Sequence, residues 1–585
     1  MDKFRVIRFI TTMSLGLVLA LAAVLSLGTG AAWGAPNLQN HPNGDIISPT
    51  QTTNGTWGPG VITAAADVTI DPGVVITIAP GTTVRVAAGV KIKIKGNLHS
   101  DGPITFTSAS PAPAPGDWKE LKYDAGSSGY LNRATIEYAE HGLKLKTTNP
   151  VTISNSVIRY NQPPVKVDKK VTGAGISIED GSPLIIASEI YGNVLVANGT
   201  KGEAYGGGIY IKKSTGARIV NVDVHDNHIT STQGFAIGSG IAIANNGDTS
   251  VIEDSRIAGN TLHALGVDNI STYGSGAGIG FLRNVSTKVV IRHNRITGNV
   301  NRSSVAAGGG IGLASGAQAD RIEGNGIYNN LAESPGGDGT TLNNYWAEGA
   351  GVDAWGQNVV TVTNNLIVSN TARCVNRCFS NTGPVGGGML VNGLSTGFPV
   401  RVVNNTIAGN RADGQTSGGY AGAIAAQNNG FFANNILANN SATAGGGGFY
   451  WWNGISTDYS LLWNNTPNDY AGNTPPGTAN DVSADPRFQG SGSLVARYHL
   501  GLTSPARDAG SNTAAALPSS DFDGDSRPLG ATWDIGFDEQ NAYTVATATT
   551  GSGSVGVVPS QTTYLYGDVI TLTASASPGW SFAGW

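Results

Sequence analysis

Short apolar runs recur along this chain, and within them apolar and polar residues alternate with a period of two, the spacing of a strand with one buried face. Two patterns follow one another in turn. The first is a glycine-rich lead-in to an apolar residue: Gly-Ala-Gly-Ile176, Gly-Gly-Gly-Ile209, Gly-Ser-Gly-Ile241, Gly-Ala-Gly-Ile279, Gly-Gly-Gly-Ile311, Gly-Ala-Gly-Val352, Gly-Gly-Gly-Met389, Ala-Gly-Ala-Ile424 and Gly-Gly-Gly-Phe449. The second is an aliphatic residue with asparagine three positions on: Ile158/Asn161, Ile190/Asn193, Val224/Asn227, Ile257/Asn260, Ile296/Asn299, Ile327/Asn330, Ile367/Asn370, Ile407/Asn410, Ile436/Asn439 and Leu461/Asn464.

One such strand cannot bury enough surface alone, but a copy above and below supplies hydrogen-bond partners and a shared core. The pattern predicts an all-β solenoid of stacked short parallel strands. In register at about 4.8 Å per rung, Asn161 through Asn464 form a ladder whose amides bond to their neighbours and to turn backbone. A second column, two residues before the aliphatic position, holds Asn294, Asn325, Asn365, Asn405 and Asn434. A role for these asparagines in glycan binding or glycosylation is the lesser alternative.

The paired repeats, over about residues 170 to 465, resemble those of chlamydial polymorphic outer-membrane proteins and, more broadly, the repeats of pectate-lyase-like surface proteins. That resemblance implies a right-handed parallel β-helix. It says little about function, since lyases, hydrolases, adhesins and inert stalks share the fold. Short β-type runs from Val61-Ile62-Thr63 onward extend the solenoid upstream, giving 55–480. The segments Ala484-Asp485-Pro486-Arg487-Phe488, Ser504-Pro505-Ala506-Arg507-Asp508-Ala509-Gly510, Asp521-Phe522-Asp523-Gly524-Asp525-Ser526-Arg527-Pro528 and Asp534-Ile535-Gly536-Phe537-Asp538-Glu539 resemble, in order, a choice-of-anchor Q region. This region, 481–541, is expected to cap the open end of the solenoid. Residues 542–585, with Gly551-Ser552-Gly553-Ser554-Val555 and a terminal Pro578-Gly579-Trp580-Ser581-Phe582-Ala583-Gly584-Trp585, resemble the first part of a divergent internalin B-type bacterial repeat cut short.

Composition fixes the expected compartment. Lys3, Arg5 and Arg8, an apolar run to about Leu27 and small residues through Ala35 make residues 1–34 a secretory signal peptide, the apolar run being too short for a retained anchor. No other stretch is apolar enough to span a bilayer, so no transmembrane helix is expected after cleavage. With 83 glycines, 13% charged residues and a formal net charge of −5, the chain reads as extracellular or cell-surface, and a nucleic-acid partner is not expected. Cys374 and Cys378, with three residues between them, are read as a loop-stapling disulfide permitted by that compartment.

Three groups could carry chemistry. Segments between each ladder asparagine and the next glycine-rich strand vary in length and are expected to leave at one corner, forming one binding face. There Trp355, Tyr450 and Trp452, with Trp346 in the preceding loop, could stack on sugar rings; the alternative is packing under loops. Glu189, Asp223, Arg256 and Arg295 form an outward column with His225 nearby, residue types suited to metal-assisted β-elimination, or simply a face whose charges pair across rungs. Asp521, Asp523 and Asp525 could share a structural calcium, the one cofactor considered, or form an Asp-rich turn. The leading expectation is a non-catalytic protein that adheres to a polysaccharide or a cell-surface component, with a polysaccharide lyase or glycoside hydrolase second.

Overall fold

A computed structural model describes residues 40–585, apart from 245–246, 248, 267–271, 286, 315, 318, 337–344, 357–359, 377, 379–382, 394–399, 416–417, 429, 453–454 and 473–478. The expected signal peptide lies outside the described residues. The alternating runs form three long parallel sheets of 15, 14 and 15 strands, each strand paired with its counterparts one coil away. Together they make a parallel β-helix, with the three-residue 3-10 turn Ala496–Tyr498 as the helical element among the described residues.

The first sheet collects the strands that follow the glycine-rich lead-ins, with Ile176, Ile209, Ile241, Ile279, Ile311, Val352, Met389, Ile424 and Phe449 in one register. The third sheet aligns Ile158, Ile190, Val224, Ile257, Ile296, Ile327, Ile367 and Ile407. Both columns point inward, are almost fully buried, and join one continuous core. The second sheet adds the column from Ile153 to Phe432 that closes this core. At roughly 25 cal/mol per Å² of apolar surface removed from water, this core supplies the main stabilisation of the stack.

From Lys166–Val167 onward nine coils widen by a strand of a fourth sheet, and the first six of them by a strand of a fifth sheet as well, which continues on the last three as single bridges through Val385, Tyr420 and Gly445. Their inward residues fill a second, narrower compartment lined largely by alanine, including Ala204, Ala236 and Ala264, then Ala306, Ala347 and Ala372. Cys374 belongs to the same compartment and is bonded to Cys378, with Cα atoms 6.1 Å apart. The glycine-rich lead-in is the partition between the two compartments. Gly308 turns the chain at φ 68°, and two residues later a Cβ on Gly310 would stand 2.6 Å from the Gly351 carbonyl oxygen and 3.1 Å from the Asn330 amide nitrogen. The two sequence patterns are thus halves of one device, glycine making room for the asparagine beneath it.

The ladder runs through Asn161, Asn193, Asn227, Asn260, Asn299, Asn330, Asn370 and Asn410, each side-chain NH₂ donating to the next amide oxygen at 2.9–3.0 Å. Beyond that point the structure corrects the register. Asn410 donates to Asn440 and Asn440 to Asn465, not to Asn439 and Asn464. Leu437 pairs with Ile407, and Leu462 with Leu437, so Ile436 and Leu461 point outward. Asn439 and Asn464 occupy the preceding left-handed turn position at φ 57° and 52°. In the second column Asn405 likewise donates to Asn435, while Asn434 takes the turn.

Outward aliphatics are stable there because residues of 485–541 cover them. Leu500, Ala506, Ile535 and Phe537 pack on Leu366, Val368, Ala408, Ile436 and Leu461, all from the outer side of the third sheet. The segment read as a cap thus lies along the flank of the third sheet. Its motifs interlock internally. Buried Arg527 pairs with Glu539 at 3.0 Å and donates to the carbonyls of Asp534 and Gly536, while Asp534 accepts the Asp508 amide. The final residues form one antiparallel hairpin, Gly553–Val558 with Thr571–Ala576. Among the described residues no helix is long and apolar enough to cross a membrane.

Candidate functional site

The connections between each ladder asparagine and the next glycine-rich strand share one corner, and a second set of long connections leaves at another. One set joins the fourth sheet to the fifth, as between Leu331–Ser334 and Trp346–Glu348; the other joins the first to the second, as between Met389–Gly393 and Val400–Val403. Between these corners the fifth sheet turns sharply onto the first at the glycine lead-ins, and their outward residues pack together along a corner parallel to the stack, a crevice filled by its own side chains at the N-terminal rungs. Toward the N-terminal rungs it holds Tyr205 stacked on Tyr210, ring centroids 6.4 Å apart. Next come Phe235 and Tyr273, with the Arg283 guanidinium 4.7 Å from each ring.

Toward the C-terminal rungs the crevice opens into a pocket of about 250 Å³, whose lining includes Trp346, Glu348, Trp355, Val385, Leu390 and Trp452. Trp355 and Trp452 occupy equivalent outward positions on strands three rungs apart, the register expected from alternation. Tyr450 packs edge-on against Trp452 at 4.9 Å and tilts against Tyr420 at 4.8 Å, so it supports the pocket wall and is not among the lining residues. Trp346 belongs to a strand of the fifth sheet, not to a loop.

An acidic pair sits at this rung that the sequence pattern did not single out. Glu348 ends its strand in the fifth sheet, 5% exposed, and Asp353 faces outward from the first sheet, 0% exposed. Neither carboxyl oxygen of Asp353 has a hydrogen-bond partner of good geometry, the Trp355 amide offering only partial electrostatic relief. Burial raises the Glu348 carboxyl to about 8. Burial, reinforced by Glu348, pushes Asp353 well above the ordinary carboxylate range. The signal for Asp353 was present in the chain: its outward position is occupied on neighbouring rungs by Gly312 and Leu390. Recognising it required knowing that a fifth sheet folds over that face.

The other candidates have partners. Glu189, Asp223, Arg256 and Arg295 do stand on successive rungs. One Arg256 nitrogen contacts both Asp223 oxygens at 2.7 and 2.9 Å, and Arg295 lies 5.3 Å from the Tyr328 ring centroid. His225 is hydrogen-bonded to Glu189 at 2.9 Å and Asp226 at 2.8 Å, and stacks on Tyr191. Burial opposes the imidazolium, but Asp226 and Glu189 outweigh it and hold the His225 pKa above its ordinary value. A shallow groove of about 490 Å³ runs beside this column.

Asp521, Asp523 and Asp525 do not converge. One Asp521 oxygen accepts three successive amides of its own turn, Asp523 contacts His499 Nε2 at 2.5 Å, and Asp525 accepts the Tyr543 hydroxyl. Among the described residues, the triads close enough to share an ion are Glu189, Asp223 and His225, and His499, Asp523 and Asp538.

No curated protein matches the chain. Residues 543–585, which carry the antiparallel hairpin, match the family model of the divergent InlB B-repeat domain, a likeness confined to that C-terminal module.

Proposed function

We propose that this is an exported, extracellular or cell-surface β-helix that binds a glycan along the crevice between its fifth and first sheets without transforming it. One observation carries the reading: Trp346, Trp355 and Trp452 line one pocket of about 250 Å³. Indole rings present flat, polarisable surfaces to sugar C–H bonds, and a rigid solenoid places them without the ordering cost of a mobile loop. The repeat module at the C-terminus is in keeping with a surface protein. A lyase or hydrolase centred on the Glu189–Arg295 column fits less well, because Arg256, Asp223 and His225 are each engaged by a neighbour of opposite charge.

A glycan array with the secreted chain tests the reading. Retention on a subset of glycans, reduced at least tenfold (about 1.4 kcal/mol) by Trp355→Ala, supports it. Retention indifferent to Trp355→Ala and Trp452→Ala contradicts it.

A further inference from the structure

We infer that the pocket framed by Trp346, Trp355 and Trp452 is a cage for an alkylammonium group, held against the Glu348 carboxylate. This rests on the crevice being the ligand site and specifies which chemical group of the ligand enters it. The faces of aromatic rings attract cations through their quadrupole, most strongly for tryptophan and most effectively where water is excluded. Three indoles with Val385 and Leu390 make a wall suited to the methyl or methylene groups of such a cation. At about 250 Å³ the pocket is small beside the ~300–1,000 Å³ of sites for drug-sized ligands, matching a head group or a single ring.

The carboxyls separate this reading from simple sugar stacking. A neutral ring would use the indoles and leave two buried acids unexplained, although burying an unpaired acid is costly. Neither Glu348 nor Asp353 has an ion-pair partner among the described residues, and both Asp353 oxygens lack a hydrogen-bond partner. Arg283, the guanidinium in the same crevice, is seated over Phe235 and Tyr273. The titratable groups facing Glu348 are Asp353 across the corner and the Tyr273 phenol along the crevice, whose own pKa is raised well above its ordinary value by burial and then by these two acids. With the pocket empty the pair is held protonated. A fixed cation entering the cage favours the Glu348 carboxylate, so the Glu348 proton leaves to solvent and no covalent bond changes.

Titration calorimetry of the full chain with choline, glucosamine and 3,3-dimethylbutan-1-ol, the uncharged isostere of choline, tests this. At least one cation is expected to bind about tenfold or more tightly than the alcohol. Choline alone points to a trimethylammonium substituent, and glucosamine, compared below the pH at which its own ammonium titrates, to an amino sugar. Affinity for choline, whose charge is fixed, should rise with pH toward about 8, with buffer-dependent heats reporting proton release, and Glu348→Gln should remove both effects. If that variant fails to fold, the pH series on the unmodified chain decides. Binding in which neither cation exceeds the alcohol, without proton release, overturns the cage. So does absence of cation binding while neutral glycans are still retained, which leaves the crevice reading intact; loss of all retention sinks both.

Discussion

Asn434 and Ser511 exchange a pair of hydrogen bonds, the Asn434 NH₂ donating to the Ser511 carbonyl at 3.2 Å and the Ser511 amide donating back to the Asn434 oxygen at 2.8 Å. The same turn position fastens the cover on neighbouring rungs, where Asn364 donates to Ser520 and Asn404 to Asp534. Left-handed turns that elsewhere face solvent thus become a row of hooks.

Replacing Asn434 by alanine removes both bonds and leaves a side chain poorly suited to φ 54°. The cover should lose about 1–2 kcal/mol of attachment. Limited proteolysis should then cut within 485–541 several times faster while the solenoid survives. An unchanged cleavage rate would mean that the apolar contacts of Ile535 and Phe537 hold the cover unaided.

The shift in ladder register is testable with two neighbours. Asn440→Ala leaves the Asn410 amide and backbone groups around it without a buried partner and should lower stability by about 2 kcal/mol or more. Asn439→Gly, which accepts the left-handed conformation, should change it by no more than a few tenths. Thermal unfolding of the two variants decides, and a larger loss at position 439 would restore the register read from the sequence.

The acid pair makes stability pH-dependent with a definite sign. Glu348 is protonated in the folded chain up to about pH 8 but ionises near 4.5 when unfolded. Its contribution is therefore complete below about 4.5 and declines as pH rises to 8, at about 1.4 kcal/mol per pH unit in that window. Glu348→Gln should make the fall in melting temperature between pH 5 and 8 shallower, Asp353 supplying what remains, and make the variant the more stable protein at pH 8. A profile as steep as that of the parent chain would contradict the assignment.

His499 loses stability in the same direction, for the opposite electrostatic reason. Burial disfavours its charge, but Asp523 and Asp538 dominate and raise its pKa to about 9, while the Tyr566 ring stacks on it at 4.1 Å from the C-terminal module. Stability from this imidazolium is present below about 6.5 and is lost as pH rises through about 9. Protection factors in 543–585, with the base catalysis of exchange itself divided out, should fall over that range, and His499→Phe, which keeps a ring for the stack, should abolish the fall.

Period-two alternation, glycine lead-ins and asparagine spacing made the solenoid and most of its register legible, because each reflects a local demand of backbone or core. The slip at Ile436-Leu437 arose where two adjacent aliphatics both satisfied the pattern; a one-residue shift exchanges inside for outside. Only the covering segment explains an outward Ile436, and its Asp-rich motifs do not declare which flank they meet. Trp355 and Trp452 could be placed by alternation. Glu348 and Asp353 could not, since their burial is created by a corner between sheets whose strands are distant in neither sequence nor pattern, yet meet only through a tight glycine turn.

Affinity electrophoresis through gels containing the polysaccharide selected on the array tests the central claim most directly, with Trp355→Ala compared against Trp463→Ala, whose indole is exposed on the third sheet. The crevice reading predicts that Trp355→Ala migrates freely while Trp463→Ala is retarded like the parent chain. Equal retardation of both variants would contradict it.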